Sequence, residues 1–371
     1  MATYSTDKRV VLTLDAGGTN FVFSAISGNR EIVEPKCYKA DPHHLDNCLS
    51  MILQGFEAVN RQLSRSATAI SFAFPGPADY KNGIIGDLPN FPAFCGGIAL
   101  GPMLREHFRL PVFINNDGCL FAYGEALAGA LPDINAQLEC CGNPKRYANL
   151  LGVTLGTGFG GGVVVDGHLL TGDNDCGSHL WCFRNKHYPT LLAEESVGVR
   201  AVKRVYKELT QYEHANIDLL EPVDIFNIAE GEMPGDRDAA IASFRELGTI
   251  AGDVIAQASA LVDGIVVIGG GVSKAAKYIL PSLIEEMNGK LNMYGQRAFQ
   301  RLSSQVYNLE IPEEKEAFLQ DNSREIAIPF SDKSVVYNPQ RAIGVTLSRL
   351  GANKAIALGA YSYALAALDK K

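Results

Sequence analysis

The stretch Leu12–Ile26, LTLDAGGTNFVFSAI, decides the fold. Two apolar runs rich in β-branched and aromatic residues flank Gly17-Gly18-Thr19-Asn20, which predicts two strands joined by a tight glycine turn. Glycines expose backbone N–H groups with no Cβ in the way, so the turn suits an anionic oxygen. Asp15 at its mouth is a residue type that holds Mg²⁺ directly or through water. An ordinary β-hairpin is the alternative interpretation.

A second stretch, NLLGVTLGTGFGGGVVVDGHLL over residues 149–170, repeats the pattern of apolar strand, glycine turn and apolar strand. P-loops and Rossmann fingerprints place a helix after their glycines, whereas both stretches here continue as strands. We therefore expect two lobes that each open with a glycine hairpin. Such a pair would grip a polyphosphate from two sides.

Composition narrows the function classes. The chain has 371 residues, of which 47% are hydrophobic and 20% charged, enough for two domains or one large one. Its formal charge of −8 and dispersed basic residues argue against a nucleic-acid surface. The N-terminal residues show no signal-peptide pattern and no stretch reaches membrane-span length, so we expect a cytoplasmic protein without a membrane partner. The eight cysteines are scattered without a CxxC pair, which favours reduced thiols.

The rest of the chain alternates strand and helix patterns, which indicates an α/β fold. Residues 44–63 show helical spacing, and residues 264–288 combine an apolar strand, the triple glycine 269–271 and a helix capped by Ser273. Residues 294–340 are more polar and contain a possible extra hairpin at 325–339, while residues 355–368 predict an alanine-rich helix that packs on another element. We predict a smaller lobe of 1–125 plus 355–371, and a larger lobe of 126–354 with an insertion at about 294–340.

The motifs LTLDAGGT, FAFPGPAD, LPNF, INND, LGTGFGGGVVVDG, VVIGGGVS and GANKAIALGA occur in an order that resembles the sugar kinases of the ROK family. The resemblance implies a two-lobed actin-like ATPase (ribonuclease H-like) fold with a duplicated β-hairpin/α-helix core. It also implies ATP- and Mg²⁺-dependent phosphorylation of a hexose or N-acetylhexosamine, and assembly into a homodimer. The alternative is a non-catalytic sugar-sensing ROK protein or a transcriptional regulator that lacks a DNA-binding domain.

The sugar end of the site follows from the same resemblance. Asp117 of INND matches the family's catalytic base, and phosphoryl transfer to a hydroxyl needs a carboxylate that accepts the proton. As an alternative, Asp117 could simply be the N-cap of the helix that follows. Asn116 and Asn90 match sugar-hydroxyl contacts, and the backbone of Gly76 would pass near the sugar.

The nucleotide end also follows from the resemblance. Asp15, Gly17, Gly18 and Thr19 would face the β- and γ-phosphates and Mg²⁺. Thr157, Gly158 and Gly160 to Gly162 would form the second phosphate turn. Gly269, Gly270 and Gly271 would lie against the adenosine.

One loop departs from the family pattern. The family's EIGH stretch and its zinc-binding cysteine cluster correspond here to DNDCGSHLWCFRNKHYP, and two cysteines do not make a tetrahedral site, so we predict no structural zinc. His179 matches the family histidine in one register, replaces a sugar-binding glutamate in another, or is merely structural. Trp181 is a candidate for stacking on a sugar or for packing. Either Glu194 or Glu195 matches a sugar-binding glutamate, and we favour Glu195.

Overall fold

The computed structural model describes residues 4–16, 20–41, 43–76, 78–88, 92–213, 216–295 and 297–370. The predictions at Gly17, Gly18, Thr19 and Asn90 therefore lie outside the described residues. Within the described ranges, no helix is both long and apolar enough to cross a bilayer.

Strands and helices alternate along the chain, as the apolar patterns predict. The strands are β1 (Val11–Ala16), β2 (Asn20–Ser27), β3 (Arg30–Glu31), β4 (Lys36–Lys39), β5 (Ala69–Ala73), β6 (Ala78–Asp79), β7 (Ile84–Ile85), β8 (Val112–Asn115), β9 (Leu150–Leu155), β10 (Phe159–Val165), β11 (His168–Leu169), β12 (Ile265–Gly269), β13 (Lys290–Asn292), β14 (Ala298–Gln300), β15 (Gln305–Asn308), β16 (Arg324–Ala327), β17 (Ser334–Tyr337) and β18 (Ala342–Leu347). The α-helices are α1 (Leu45–Asn60), α2 (Leu100–Phe108), α3 (Asp117–Ala128), α4 (Ala130–Cys140), α5 (Val199–Leu209), α6 (Pro222–Glu230), α7 (Arg237–Val262), α8 (Ala276–Met287), α9 (Pro312–Leu319) and α10 (Ala352–Asp369).

The chain divides into two compact units. The first comprises the described residues of 1–130, Gly160–His179 and 348–371, and the second comprises Leu131–Phe159 and Leu180–Leu347. We predicted a smaller lobe of 1–125 plus 355–371 and a larger lobe of 126–354, whereas the first unit of the structure also includes 126–130, 160–179 and 348–354.

The first unit contains the sheet β3-β2-β1-β5-β8, in which β4 also pairs with β2. β1 and β2 are antiparallel with Ala16 opposite Phe21, as the hairpin prediction requires, and β1, β5 and β8 run parallel. Aromatic side chains form much of the core on this sheet, since Phe23, Phe56 and Phe72 are fully buried and lie in ring contact. The predicted amphipathic helix is α1, which supplies Phe56 to this core.

The predicted C-terminal helix, α10, packs against α3 in the first unit. A Cβ on Gly124 would collide with the carbonyl of Ala355, and a Cβ on Gly359 would collide with the carbonyl of Leu120. Glycines therefore let the two helix backbones approach closely. Because α3 begins at Asp117, this packing fixes the position of its first turn.

The second unit contains four parallel strands in the order β9-β12-β18-β15. β9 and β12 are buried along most of their length, as expected for a parallel sheet covered on both faces. The carboxyl ends of the four strands lie at one edge of this sheet and their amino ends at the other.

The segment 294–340 is only partly an insertion. The hairpin predicted at its end exists as β16 and β17. The segment also contains β15, an edge strand of the parallel sheet, and α9, which packs beside it. The polar composition concealed β15 because only Val306 and Asn308 of this four-residue strand are buried.

Candidate active site

Three parallel strands of the first unit end side by side at the carboxyl edge of its sheet. Asp15 on β1 lies opposite Ala73 on β5, and Ala73 lies opposite Asn115 on β8. Two strand spacings of about 4.8 Å therefore separate the backbones of Asp15 and Asn115. This edge is where α/β folds bind ligands, and the chain places Asp117 two residues beyond Asn115.

Asp117 is the first residue of α3, and Asn116 is its N-cap. The Oδ1 atom of Asn116 accepts a hydrogen bond from the backbone N–H of Gly118 at 2.9 Å. The same N–H also reaches Oδ1 of Asp117 at 2.9 Å. The interpretation of Asp117 as the N-cap is therefore wrong, because the capping role belongs to its neighbour. The Asp117 side chain is left exposed to solvent at the positive end of α3.

Asp15 and Asp117 form a pair of interacting carboxylates. Desolvation raises the pKa of Asp15, and the charge of Asp117 raises it further. The pKa of Asp117 is also raised, mainly by desolvation from the surrounding protein, and the hydrogen bond from Gly118 opposes this shift. Asp117 remains accessible to solvent, so its carboxylate is recessed among protein atoms and not sealed from water. Among the described residues, neither carboxylate forms an ion pair with a basic side chain.

Gly160, Gly161 and Gly162 belong to strand β10 and not to the second phosphate turn, so that prediction is corrected. A Cβ on Gly118 would lie 2.7 Å from the carbonyl oxygen of Gly161, and a Cβ on Gly162 would collide with the carbonyl of Gly118. These glycines let β10 pass directly against the first turn of α3. Gly161 and Gly162 therefore pack against the helix turn that carries Asp117.

The second glycine turn comprises residues 156–158, with Gly156 N donating to Gly158 O at 3.1 Å. Thr157 at its tip is exposed. Glu194 stands behind this turn, because its Oε2 accepts from the backbone N–H of Phe159 at 2.9 Å and a Cβ on Gly158 would approach it to 2.5 Å. Glu195 is more exposed and lies 3.4 Å from Arg200.

The triple glycine at the end of β12 divides into residues with different roles. Gly270 has φ +92° and a Cβ there would collide with the carbonyl of Leu155, so its glycine is required by the backbone. A Cβ on Gly271 would meet no atom within 4 Å. Gly271 therefore borders open space, which suits a ligand. Ser273 does not cap α8 as predicted; it lies in a 3₁₀ helix, Gly271–Ala275, and donates to Gly270 O at 2.7 Å.

Gly76 lies directly against a tyrosine. A Cβ on Gly76 would collide with the hydroxyl of Tyr80, and this hydroxyl donates to the carbonyl of Phe74 at 3.0 Å. Burial raises the pKa of Tyr80, and the charges of Asp117 and Asp175 raise it further. Tyr80 is therefore close to the carboxylates of Asp117 and Asp175.

Sequence reasoning missed Asp175. Its φ is +53°, and its Oδ2 accepts from the backbone N–H of Lys81 at 3.1 Å. Its charge also raises the pKa of Cys119, which desolvation and Asp117 shift to about 12. Asp175 thus faces the polar region around Asp117. The stretch DNDC offers two aspartates without periodicity, so only the folded loop distinguishes Asp175 from Asp173.

His179 ends this loop half-buried, and desolvation lowers its pKa, which favours a neutral imidazole at pH 7. Trp181 is 38% exposed in a short 3₁₀ helix. Among the described residues no three His, Cys, Asp or Glu side chains form a metal-binding group. The absence of structural zinc remains a prediction.

The parallel sheets of the two units and the similar solved structures define an actin-like ATPase fold. The chain matches the ROK family over residues 11–308 and belongs to that family. The resemblance seen in the motifs is thereby confirmed.

Three proteins illustrate which members of the family this chain is similar to. The crystal structure of a glucokinase from Parabacteroides distasonis is 54% identical with a TM-score of 0.88, and the match covers 98% of this chain and 99% of that one. A glucokinase from Thermotoga maritima is 26% identical over 301 residues, 76% of this chain and 87% of the relative. A ROK family glucokinase from Streptomyces griseus, solved with glucose and AMPPNP, is 18% identical with a TM-score of 0.61 over 95% of this chain and 98% of that one, which supports the fold.

Proposed function

We propose that this ROK sugar kinase transfers the γ-phosphoryl group of ATP to a hydroxyl of a hexose, with glucose as the favoured substrate and Asp117 as the general base. The observation that carries the proposal is the position of Asp117, at the N-terminus of α3 and beside Asp15 at the carboxyl edge of the sheet. The similarity to glucokinases supports the sugar class.

The surroundings of Asp117 suit a base. A carboxylate with an ordinary pKa near 4 is a weak proton acceptor at neutral pH, and desolvation raises the pKa of Asp117 above that value. The α3 dipole and the Gly118 N–H oppose this shift, because both favour the charged form of the carboxylate. Asp117 would accept the hydroxyl proton while the hydroxyl oxygen attacks phosphorus.

The pair of Asp15 and Asp117 fits a divalent cation. Two neighbouring carboxylates without a basic partner among the described residues repel each other, and Mg²⁺ takes one or two carboxylates together with phosphate oxygens and water. Asp15 would hold Mg²⁺. The cation would neutralise charge that develops on the phosphates.

We place the sugar against Asn116, Asp117, Asp175 and His179. Asn116 uses Oδ1 as a cap, and its side chain also hydrogen-bonds Tyr80 and Asp117, which holds the amide beside the proposed base. Asp175 would accept from sugar hydroxyls, since Lys81 N holds only one of its oxygens. A neutral His179 can donate at one nitrogen and accept at the other, as a hydroxyl pair requires.

In the second unit we assign nucleotide binding to the turn 156–158 and Gly271, and in the first unit we assign Mg²⁺ binding to Asp15. Thr157 offers an exposed hydroxyl at the tip of the turn, and Gly271 offers open backbone. Gly269 and Gly270 precede Gly271 in the chain. A side chain at Gly270 would not fit, because its Cβ would collide with the carbonyl of Leu155. The homodimer implied by the resemblance and the cytoplasmic location expected from the sequence pattern remain part of the proposal, and sedimentation of the purified protein tests the former.

A coupled ADP-release assay tests the proposal across glucose, fructose, mannose, N-acetylglucosamine and N-acetylmannosamine. We expect turnover with glucose and weaker turnover with the others. ATP binding without turnover on any sugar would refute the kinase function and favour the non-catalytic sugar sensor.

Asp175→Asn tests the sugar assignment. Asparagine tolerates positive φ, so the loop backbone is retained. We expect the glucose KM to rise about tenfold, the effect of one charge-assisted hydrogen bond, with the ATP KM unchanged. Asp173→Asn in the same loop is the matched control. An unchanged glucose KM would remove Asp175 from the sugar site.

A further inference from the structure

The second unit contains a cavity at the edge of its sheet opposite the glycine turns. The turn 156–158 and Gly269–Gly271 follow the carboxyl ends of β9 and β12. The cavity instead lies where β15 and β18 begin, and Gln305 and Arg341 among its lining residues are joined by a backbone hydrogen bond of 2.9 Å. A six-residue strand such as β18 spans about 20 Å, so this cavity is separate from the candidate nucleotide site.

The cavity has the size and lining of a small-molecule site. Its volume is about 350 Å³, within the range of about 300–1,000 Å³ for ligand pockets. Met287 and Leu302 supply a buried apolar surface. Asn288 braces the wall, because its side chain donates to Val306 O and accepts from Val306 N, both at 2.9 Å.

Several polar side chains around the cavity have no partner in the described part of the chain. They are the guanidinium of Arg341, the hydroxyls of Tyr307, Ser303 and Ser304, and the amide of Gln300. Each of these groups can donate a hydrogen bond. Their arrangement around one hollow favours a ligand rich in acceptor oxygens.

The charge around the cavity is positive. The nearby acids Glu286 and Asp253 are already paired with Arg301, and Lys186 also contacts Glu286. Arg341 forms no ion pair among the described residues. Lys290 lies directly opposite Gln300 in the β13–β14 ladder, so both side chains lie on one face, and Lys290 also has no acidic partner there.

The end of α8 opposes this charge only weakly. The C-terminus of a helix carries about half a negative charge, but two of its last carbonyls here accept from Asn288 N and Gly289 N. A full guanidinium charge outweighs that contribution. Arginine also matches the planar geometry of carboxylate and phosphate oxygens.

We propose that this cavity binds a small hydroxylated metabolite that carries a phosphate or carboxylate group, with Arg341 on the oxyanion and Tyr307, Ser303 and Ser304 on the remaining oxygens. The inference does not depend on the kinase activity. It rests on a lining that combines an apolar wall, unpaired donors and uncompensated cations.

Isothermal titration calorimetry of the whole chain in phosphate-free buffer tests this site. The probes are glycerol 3-phosphate and glycerate, which distinguish the two oxyanions, and neutral glycerol is the ligand control. We expect millimolar or tighter binding of at least one anion and none of glycerol. Arg341→Ala should weaken it at least tenfold and Tyr307→Phe about threefold. Arg324→Ala, an exposed arginine on β16 outside the cavity, should leave it unchanged.

Circular dichroism checks that the variants are folded, which we expect because Arg341 is exposed and Tyr307→Phe removes a single oxygen. If neither anion binds at concentrations up to about 10 mM, the proposal is overturned. Binding with equal affinity in wild type and Arg341→Ala would also overturn it. Anion binding that is lost in Arg341→Ala and kept in Arg324→Ala would establish the site.

Discussion

The two units use the carboxyl edges of parallel sheets in different ways. In the first unit this edge carries side-chain charge, with Asp15 after β1 and Asp117 after β8. In the second unit it carries backbone, with the turn 156–158 after β9 and Gly271 after β12. The carboxylate of Glu194, which lies close to the second turn, accepts a hydrogen bond from the N–H of Phe159. Under the proposed function, the first unit supplies carboxylates for proton transfer and Mg²⁺, and the second unit supplies backbone for the nucleotide.

Asp117→Asn should have the largest effect, because it removes the proposed base while keeping the size of the side chain. Loss of a general base lowers kcat by about 10³-fold, or about 4 kcal/mol. The coupled ADP assay measures this loss. Asp46→Asn, in the first turn of α1, is the matched control and should retain full activity. Activity within tenfold of wild type in Asp117→Asn would dismiss Asp117 as the base.

The sequence pattern predicted the sheet edge that carries Asp15 and Asp117 better than the sheet edge that carries the glycine turns. Asp15 and Asp117 follow apolar strands, and that local pattern is enough to place them at strand ends. The glycines Gly160 to Gly162 resemble a turn in the sequence, but they lie in β10. There Gly161 and Gly162 contact Gly118, a long-range contact that no local pattern reports. β15 was missed because an edge strand buries few side chains, and Asp175 was missed because irregular loops have no periodicity.

Gly270→Ala and Gly271→Ala separate structural from ligand-facing glycines in the second unit. Alanine at Gly270 combines φ +92° with a collision against Leu155 O, and we expect a loss of about 3 kcal/mol in the free energy of unfolding. Alanine at Gly271 meets no atom within 4 Å and should change this free energy by under about 0.5 kcal/mol while raising the ATP KM. Urea denaturation and kinetics measure the two effects. Equal destabilisation would show that both glycines are structural.

Asp15→Asn tests the charged pair itself. We expect kcat/KM for Mg·ATP to fall about 100-fold, since the proposed carboxylate ligand of Mg²⁺ is removed. Thr157→Ala on the backbone-rich edge should cost about tenfold. A smaller loss for Asp15→Asn than for Thr157→Ala would reverse the division of roles between the units.

The pH dependence follows from the same pair. Asp117 must be ionised to accept a proton, and its pKa is raised, so activity is present above this pKa and is lost as the pH falls through it. The acid limb of kcat/KM should therefore lie above pH 4. Asp15→Asn removes a neighbouring negative charge, stabilises ionised Asp117 and should move the residual limb to lower pH. A limb that moves upward would mean that the titrating group is not Asp117.

Glu194→Ala and Glu195→Ala compare two adjacent carboxylates and have the smallest expected effects. Glu194→Ala leaves the N–H of Phe159 without its acceptor, so we expect a loss of about 1.5 kcal/mol in unfolding free energy and a higher ATP KM through the turn 156–158. Glu195 is exposed and paired only with Arg200 at 3.4 Å, so its removal should cost under about 0.5 kcal/mol.

Sugar kinetics decide which of these glutamates reaches the substrate. The family resemblance favours Glu195 as the sugar contact, and its exposed position leaves its carboxylate accessible to a hydroxyl. We therefore expect Glu195→Ala to raise the glucose KM severalfold without a stability loss. If Glu194→Ala raises it instead, the carboxylate behind the phosphate turn also positions the sugar, and the two functions of the second unit are coupled through a single side chain.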